Sequence, residues 1–131
     1  MTEYVLSLDG VEPEQLEGFF VDWPTPLTAE RHLEVLRGSS QVVLARDGAR
    51  VVGFVTAISD GVLSAYVPLL EVLPEYQGQG IGTELVRRLL AALGPLYMVD
   101  LVCDKDVVPF YERLGLQHLD AGMGLRNRDA L

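Results

Sequence analysis

The chain has 131 residues, 49% of them hydrophobic, and a formal net charge of −9 at pH 7. That length suits a single domain over residues 1–131 with a core of its own, while the charge repels nucleic-acid phosphates and acidic membrane surfaces, against a general nucleic-acid or membrane binder. A single cysteine, Cys103, excludes an intrachain disulfide, and no basic N-terminal start leads into a long apolar run, so the sequence reads as cytoplasmic. Nine of the ten basic residues are arginine, a composition of GC-rich bacterial genomes.

Tyr4 to Leu8 has the β-branched and aromatic character of a short first strand, ended by Asp9-Gly10. Pro13 starts a helix whose Leu16, Phe19 and Phe20 recur at helical spacing, with Glu12, Glu14 and Glu17 near the positive end of its dipole. Asp22-Trp23-Pro24-Thr25-Pro26 breaks that helix. Thr28 then caps a second one to about Arg37, with Leu33 and Leu36 turned inward and Gly38 as its stop. Gln41 to Arg46 and Arg50 to Ser59 read as a hairpin around Asp47-Gly48, a dipeptide suited to positive φ at both turn positions. After the turn at Asp60-Gly61, residues 62 to 73 form a long strand.

That strand runs into Gln77-Gly78-Gln79-Gly80-Ile81-Gly82-Thr83, where glycines alternate just before a helical pattern begins. Glycine permits backbone conformations in which successive N–H groups converge, and the helix dipole adds partial positive charge at the same place. Such a loop is built to hold an anion. It is not a Walker A loop, since Gly78 is followed five residues later by Thr83 and then Glu84 rather than by Gly-Lys-Ser/Thr. The dinucleotide fingerprint fits little better, because it needs a glycine or alanine at position 83 and an early strand.

Ile81, Leu85, Val86, Leu89, Leu90 and Leu93 mark one face of the following helix, Glu84 and Arg88 pair on the other, and Gly94-Pro95 ends it. Tyr97 to Cys103 is the next strand, and the strand-helix-strand crossover makes it parallel to the strand before the loop. Asp100 interrupts its apolar run, where a carboxylate is costly unless hydrogen-bonded or working. Asp106 caps a short helix with Pro109 in its first turn and Gly115 at its close. Residues 117 to 131 leave room for two short strands around Ala121-Gly122. His32 and His118 stand apart without ligand spacing, so no metal is expected, and Cys103 reads as a small apolar strand residue.

Val72-Leu73-Pro74 followed by Gln77-Gly78-Gln79-Gly80-Ile81-Gly82 resembles the Gln/Arg-x-x-Gly-x-Gly/Ala signature of the GNAT superfamily of acyl-CoA-dependent N-acetyltransferases. A second motif, Phe110-Tyr111-Glu112-Arg113-Leu114-Gly115-Leu116, is similar to that family's aromatic-Tyr-x-x-x-Gly ending, and the resemblance runs from about residue 41 to 116. It implies an α/β (α+β) fold with a mixed, mostly antiparallel sheet of six to seven strands and helices on both faces. It also implies direct transfer of an acetyl group from acetyl-CoA to an amine of a small molecule or peptide.

Carried onto this chain, the resemblance gives the backbone of Gln77, Gly78, Gln79, Gly80, Ile81, Gly82 and Thr83 to the cofactor pyrophosphate, with Arg87 or Arg88 as helpers. The N–H of Leu70 would meet the thioester carbonyl and that of Val72 the pantetheine. Tyr111 matches the tyrosine that protonates the departing thiolate or orients the sulfur. Asp104 stands where the family often has a cofactor-contacting asparagine. Tyr66 takes the place of a glutamate that is catalytic in some relatives, leaving Glu71, Asp100 or ordered water as the base. Phe20 and Trp23 fall where the family admits its acceptor. Sheet edges near the C-terminus leave room for a homodimer. The alternatives are a non-catalytic acyl-CoA-binding or sensor module on the same fold, and a nucleotide-binding regulatory domain.

Overall fold

The structure is a computed structural model that describes residues 1–131. Five strands form one sheet in the order of the chain: β1 (Thr2–Val5), β2 (Gln41–Asp47), β3 (Arg50–Ser59), β4 (Ser64–Val72) and β5 (Met98–Asp100). The first four are antiparallel neighbours, and β5 lies parallel to β4. Three α-helices accompany them: α1 (Ala29–Gly38), α2 (Ile81–Leu93) and α3 (Val108–Arg113). No helix is long and apolar enough to cross a membrane.

β2 and β3 are the buried centre, and their alternation assigns the two faces. A Cβ added to Gly53 would meet Leu85 Cδ1 at 3.1 Å and Ile81 Cγ2 at 3.3 Å, so α2 covers the face that carries Gly53 and its cross-strand neighbour Ala45. On the other face the ring of Phe54 stands 5.2 Å from that of Phe19 and 4.4 Å from that of His32, which places α1 and the segment before it there. Helices on both faces of a mostly antiparallel sheet are what the sequence predicts. Arg88 lies over the Tyr4 ring at 4.7 Å and ties the edge strand β1 to α2.

Thr28 caps α1 as its sequence predicts, its hydroxyl accepting the Arg31 N–H at 3.2 Å. Elsewhere the elements are shorter or shifted. Strand β1 ends at Val5 rather than Leu8. The expected helix from Pro13 is one 3₁₀ turn, Pro13–Leu16, because Phe19 and Phe20 leave helical geometry to reach the core. The hairpin loop is Gly48-Ala49, one position later than expected; Asp47 pairs with Arg50, and only Gly48 takes positive φ. β5 keeps only Met98–Asp100 of the expected Tyr97 to Cys103. Asp106 is not a cap: a 3₁₀ turn at Lys105–Val107 runs directly into α3. The two strands expected around Ala121-Gly122 are absent, so the sheet has five strands rather than six or seven. A β5 of three residues offers too short a ladder to order that exposed, glycine-containing segment.

Replacing Gly53 by alanine should destabilise the fold by about 1–3 kcal/mol, since the new methyl crowds Leu85 Cδ1 at 3.1 Å and Ile81 Cγ2 at 3.3 Å, both packed in the core. A lower urea midpoint with an unchanged slope is the expected result; an unmoved midpoint would mean that Leu85 and Ile81 repack without cost.

Candidate active site

The site is built where β4 and β5 part. Their parallel pairing covers Ser64↔Met98, Ala65↔Val99 and Tyr66↔Asp100 and then ends, although β4 continues to Val72. On its other side β4 stays paired with β3 down to Gly53↔Val72, with a register irregularity that gives β4 an extra residue around Val67-Pro68. The Leu73 N–H donates to the Val52 carbonyl at 2.9 Å. Strand alternation therefore turns the Leu70 and Val72 N–H groups away from β3, toward the side that β5 has left open. Both belong to the residues expected to meet the cofactor.

Past β4 the chain makes a 3₁₀ turn, Pro74–Tyr76, pinned to the end of the β2–β3 hairpin. The Tyr76 hydroxyl donates to Asp47 Oδ2 at 2.7 Å, and Arg50 Nη2 pairs with Glu75 Oε1 at 2.9 Å. Gln77 Nε2 reaches back to the Val72 carbonyl at 3.0 Å. Gly78 and Gly80 have φ of 78° and 83°, the left-handed region that favours glycine, and a Cβ on either would point into open space. Gly80 is the N-cap of α2 with no side chain capping the helix, so its first-turn N–H groups face outward with the dipole behind them. A 13-residue helix opening on such a loop can hold a phosphate. Gln79 is exposed and Thr83 half-buried, whereas the Ile81 side chain is in the core and leaves only its backbone for a ligand. At Gly82 a Cβ would make ordinary contact with the Phe110 ring at 3.5 Å, where α3 lies against the start of α2.

A cavity of about 370 Å³ opens between the parted strands, lined by Leu70 and Glu71 of β4, Cys103 and Asp104 after β5, and Trp23. The Glu71 carboxylate accepts the Phe20 N–H at 2.9 Å on each oxygen and the Val21 N–H at 3.3 Å. The Phe20 ring is buried, 5.0 Å from Trp23 and 4.9 Å from His32; it packs behind the wall, and Trp23 is the one of the pair that lines the cavity. Asp100 and Tyr111 line a second and larger cavity, about 1090 Å³, between β5 and the C-terminal segment, with Cys103 common to both. The Tyr111 hydroxyl is pushed up to about 12 by burial and then by the nearby Cys103, so it holds its proton throughout the neutral range. No three His, Cys, Asp or Glu side chains converge as metal ligands would.

Sequence reading missed three contributors. Pro68, in mid-strand, is itself a signal of an edge or bulge. Arg126 reaches the smaller cavity from a segment without periodicity, so nothing in the sequence marks it. The Tyr76–Asp47 contact joins residues 29 positions apart and is visible only once the hairpin is folded.

A family model described as the acetyltransferase (GNAT) family matches residues 8–116. A solved structure of a candidate acetyltransferase from Deinococcus radiodurans is 52% identical, with a TM-score of 0.94 over 98% of this chain and 90% of that one. A GNAT-family acetyltransferase from Streptococcus pneumoniae is 31% identical, with a TM-score of 0.80 over 98% of this chain and 99% of its own. The Arabidopsis thaliana protein named GCN5-related N-acetyltransferase 2, chloroplastic, is 39% identical over 70 residues, 52% of this chain. Matches to the first three curated relatives span 27%, 30% and 28% of those proteins.

His32 stands behind the Trp23 wall with neither ring nitrogen hydrogen-bonded within the protein, and burial lowers its pKa from 6.5 to about 4. The unfolded chain therefore binds the proton first. The native state should lose about 3 kcal/mol as pH falls from 6.5 to 4, and no more through this group below that. His32→Leu should flatten that part of the stability-versus-pH curve; parallel curves for variant and wild type would contradict the burial argument.

Proposed function

The chain belongs to the acetyltransferase (GNAT) family, and from that premise we propose that it is an N-acetyltransferase moving the acetyl group of acetyl-CoA directly to an amine of a small molecule or peptide. The observation that carries this reading is the open glycine-lined N-terminus of α2 standing beside the unpaired edge of β4. Acetyl-CoA as cosubstrate supplies an activated thioester and a pyrophosphate. The residues present fit both: glycines at 78 and 80 leave space where side chains would stand, and two β4 amides lack a strand partner.

In this reading the amides from Gln77 to Thr83 bind the pyrophosphate. Arg87 and Arg88 are exposed on α2, and Arg88 is already held by Glu84 at 2.8 Å, so the loop relies on backbone donors rather than on a cationic side chain. The Leu70 N–H polarises the thioester carbonyl, stabilising the oxyanion as the amine attacks, and the Val72 N–H aligns the pantetheine arm. Tyr111, protonated at neutral pH, gives its proton to the departing thiolate. Asp104 accepts a hydrogen bond at the cofactor side of the cavity. Glu71 is occupied as the acceptor for the Phe20 and Val21 N–H groups, so the amine's proton goes to Asp100, on the adjoining cavity, or to water. Carboxylates at the cavity favour a cationic amine before it is deprotonated. One cysteine and no disulfide are compatible with a cytoplasmic setting. A second reading, a non-catalytic CoA-binding module, draws on Glu71 being engaged in structure.

Two measurements test the proposal. Gly80→Val should weaken CoA binding severely, since its Cβ would enter the loop's open space and valine is strained at a φ of 83°; unchanged affinity would remove the pyrophosphate from this loop. With acetyl-CoA and a panel of alkyl, aryl and peptide amines, thiol release above background is expected, slowed on the order of 10²–10⁴-fold in Tyr111→Phe with CoA affinity kept. Tight CoA binding without turnover on any amine would favour the non-catalytic module.

A further inference from the structure

Glu71 is the one carboxylate on the cavity-lining part of β4, and although Arg126 lines the same cavity, no cationic side chain forms an ion pair with it. The ion pairs of the protein join Arg46 to Glu3, Arg50 to Glu75 and Arg88 to Glu84, all elsewhere. Its partners are instead the backbone N–H groups of Phe20 and Val21, about fifty positions earlier in the chain. Hydrogen bonds to an ionised acceptor are roughly twice as strong as neutral ones, and this set closes a contact between β4 and the opposite cavity wall.

The turn so held is an unusual one. Phe20 and Asp22 both adopt positive φ, 65° and 67°, which non-glycine residues take only where their surroundings impose it. On one side the constraint is the burial of the Phe20 ring against His32 and Phe54. On the other side it is the Glu71 carboxylate. Trp23 follows directly, its N–H on the Phe20 carbonyl at 3.3 Å and its ring on the cavity.

We propose that Glu71 is a positioning residue: by accepting the Phe20 and Val21 N–H groups it locks the strained turn that carries Trp23 and so fixes the acceptor-side wall of the cleft. The inference rests on the acetyltransferase reading only in taking that wall as the acceptor's. The geometry favours glutamate over its near relatives. Aspartate falls one methylene short of the turn, and glutamine replaces one of the two accepting oxygens with a donor that faces the Phe20 N–H.

The lock is read without any substrate, by amide hydrogen exchange followed by NMR. In the unaltered protein the Phe20 and Val21 amides should exchange more slowly than that of Asp22, which has no acceptor in the protein. Equal exchange at Phe20 and Asp22 would overturn the proposal whether or not any variant folds. In Glu71→Gln the protection of Phe20 should fall by roughly ten- to a hundredfold. The emission of Trp23, the chain's one tryptophan, should move to the red, while CoA affinity stays as in wild type. Retained protection in that variant overturns the lock. On an amine that turns over, Glu71→Gln should raise the acceptor KM and keep the pH dependence of the rate. Loss of protection with an unchanged KM and kcat would overturn the positioning role. If no amine turns over, the acetyltransferase reading fails while the exchange data still decide whether the lock exists.

Discussion

Everything in the cleft depends on β5 leaving β4 after three paired residues. A strand edge left in this way presents N–H and C=O groups that must find water, a side chain or a ligand. Here the two kinds of group are treated differently. Gln77 turns back to donate to the Val72 carbonyl, which removes an acceptor from the free edge near the loop. From Leu70 to Val72 the edge that remains offers two N–H donors and one free carbonyl, which suits a ligand rich in carbonyl and phosphoryl oxygen. The irregularity at Val67-Pro68 acts on the other kind of group, because proline has no N–H to leave unpaired where the strands separate.

The two sides of the cleft are stiffened by different means. The loop side is local in sequence and braced from beneath by side chains of the β2–β3 hairpin, through Tyr76 with Asp47 and Glu75 with Arg50. Those braces are solvent-exposed and individually weak, so they steer the loop rather than stabilise the fold. In a chain of net charge −9 the loop offers an anion aligned amides and a helix end, whose fields act at short range and survive the surrounding negative charge. The opposite side has no such local logic. Its shape comes from a carboxylate on β4 and an aromatic cluster, Phe19, Phe20, His32 and Phe54, drawn from three separate parts of the chain.

Legibility in the sequence follows the same division. The alternating glycines, the apolar face of α2 and the cap at Thr28 are short-range patterns, and each appears in the fold where the residues place it. The helix expected from Pro13 does not form beyond Leu16, because Phe19 and Phe20 gain more by burial against Phe54 than the chain gains from another helical turn. Glu71 could be marked as a nearby carboxylate, but not as the acceptor for the Phe20 N–H, since no spacing rule links positions 20 and 71. β5 is shorter than its apolar run for a tertiary reason as well: Leu101 to Cys103 bend away to line cavities instead of continuing the ladder.

The strand order, identical to the order in the chain, has a consequence for how the native protein breathes. From β1 to β4 each strand lies beside its predecessor, and the β2–β3 and β3–β4 pairings close only short turns. The β1–β2 and β4–β5 pairings each close a long segment, residues 6–40 and 73–97, and β4–β5 returns the least for the chain entropy it costs, with three residue pairs against four. The seam between β4 and β5 is thus the thinnest in the sheet, and partial opening begins there, widening the cleft without disturbing the hairpins that hold the rest of the molecule together.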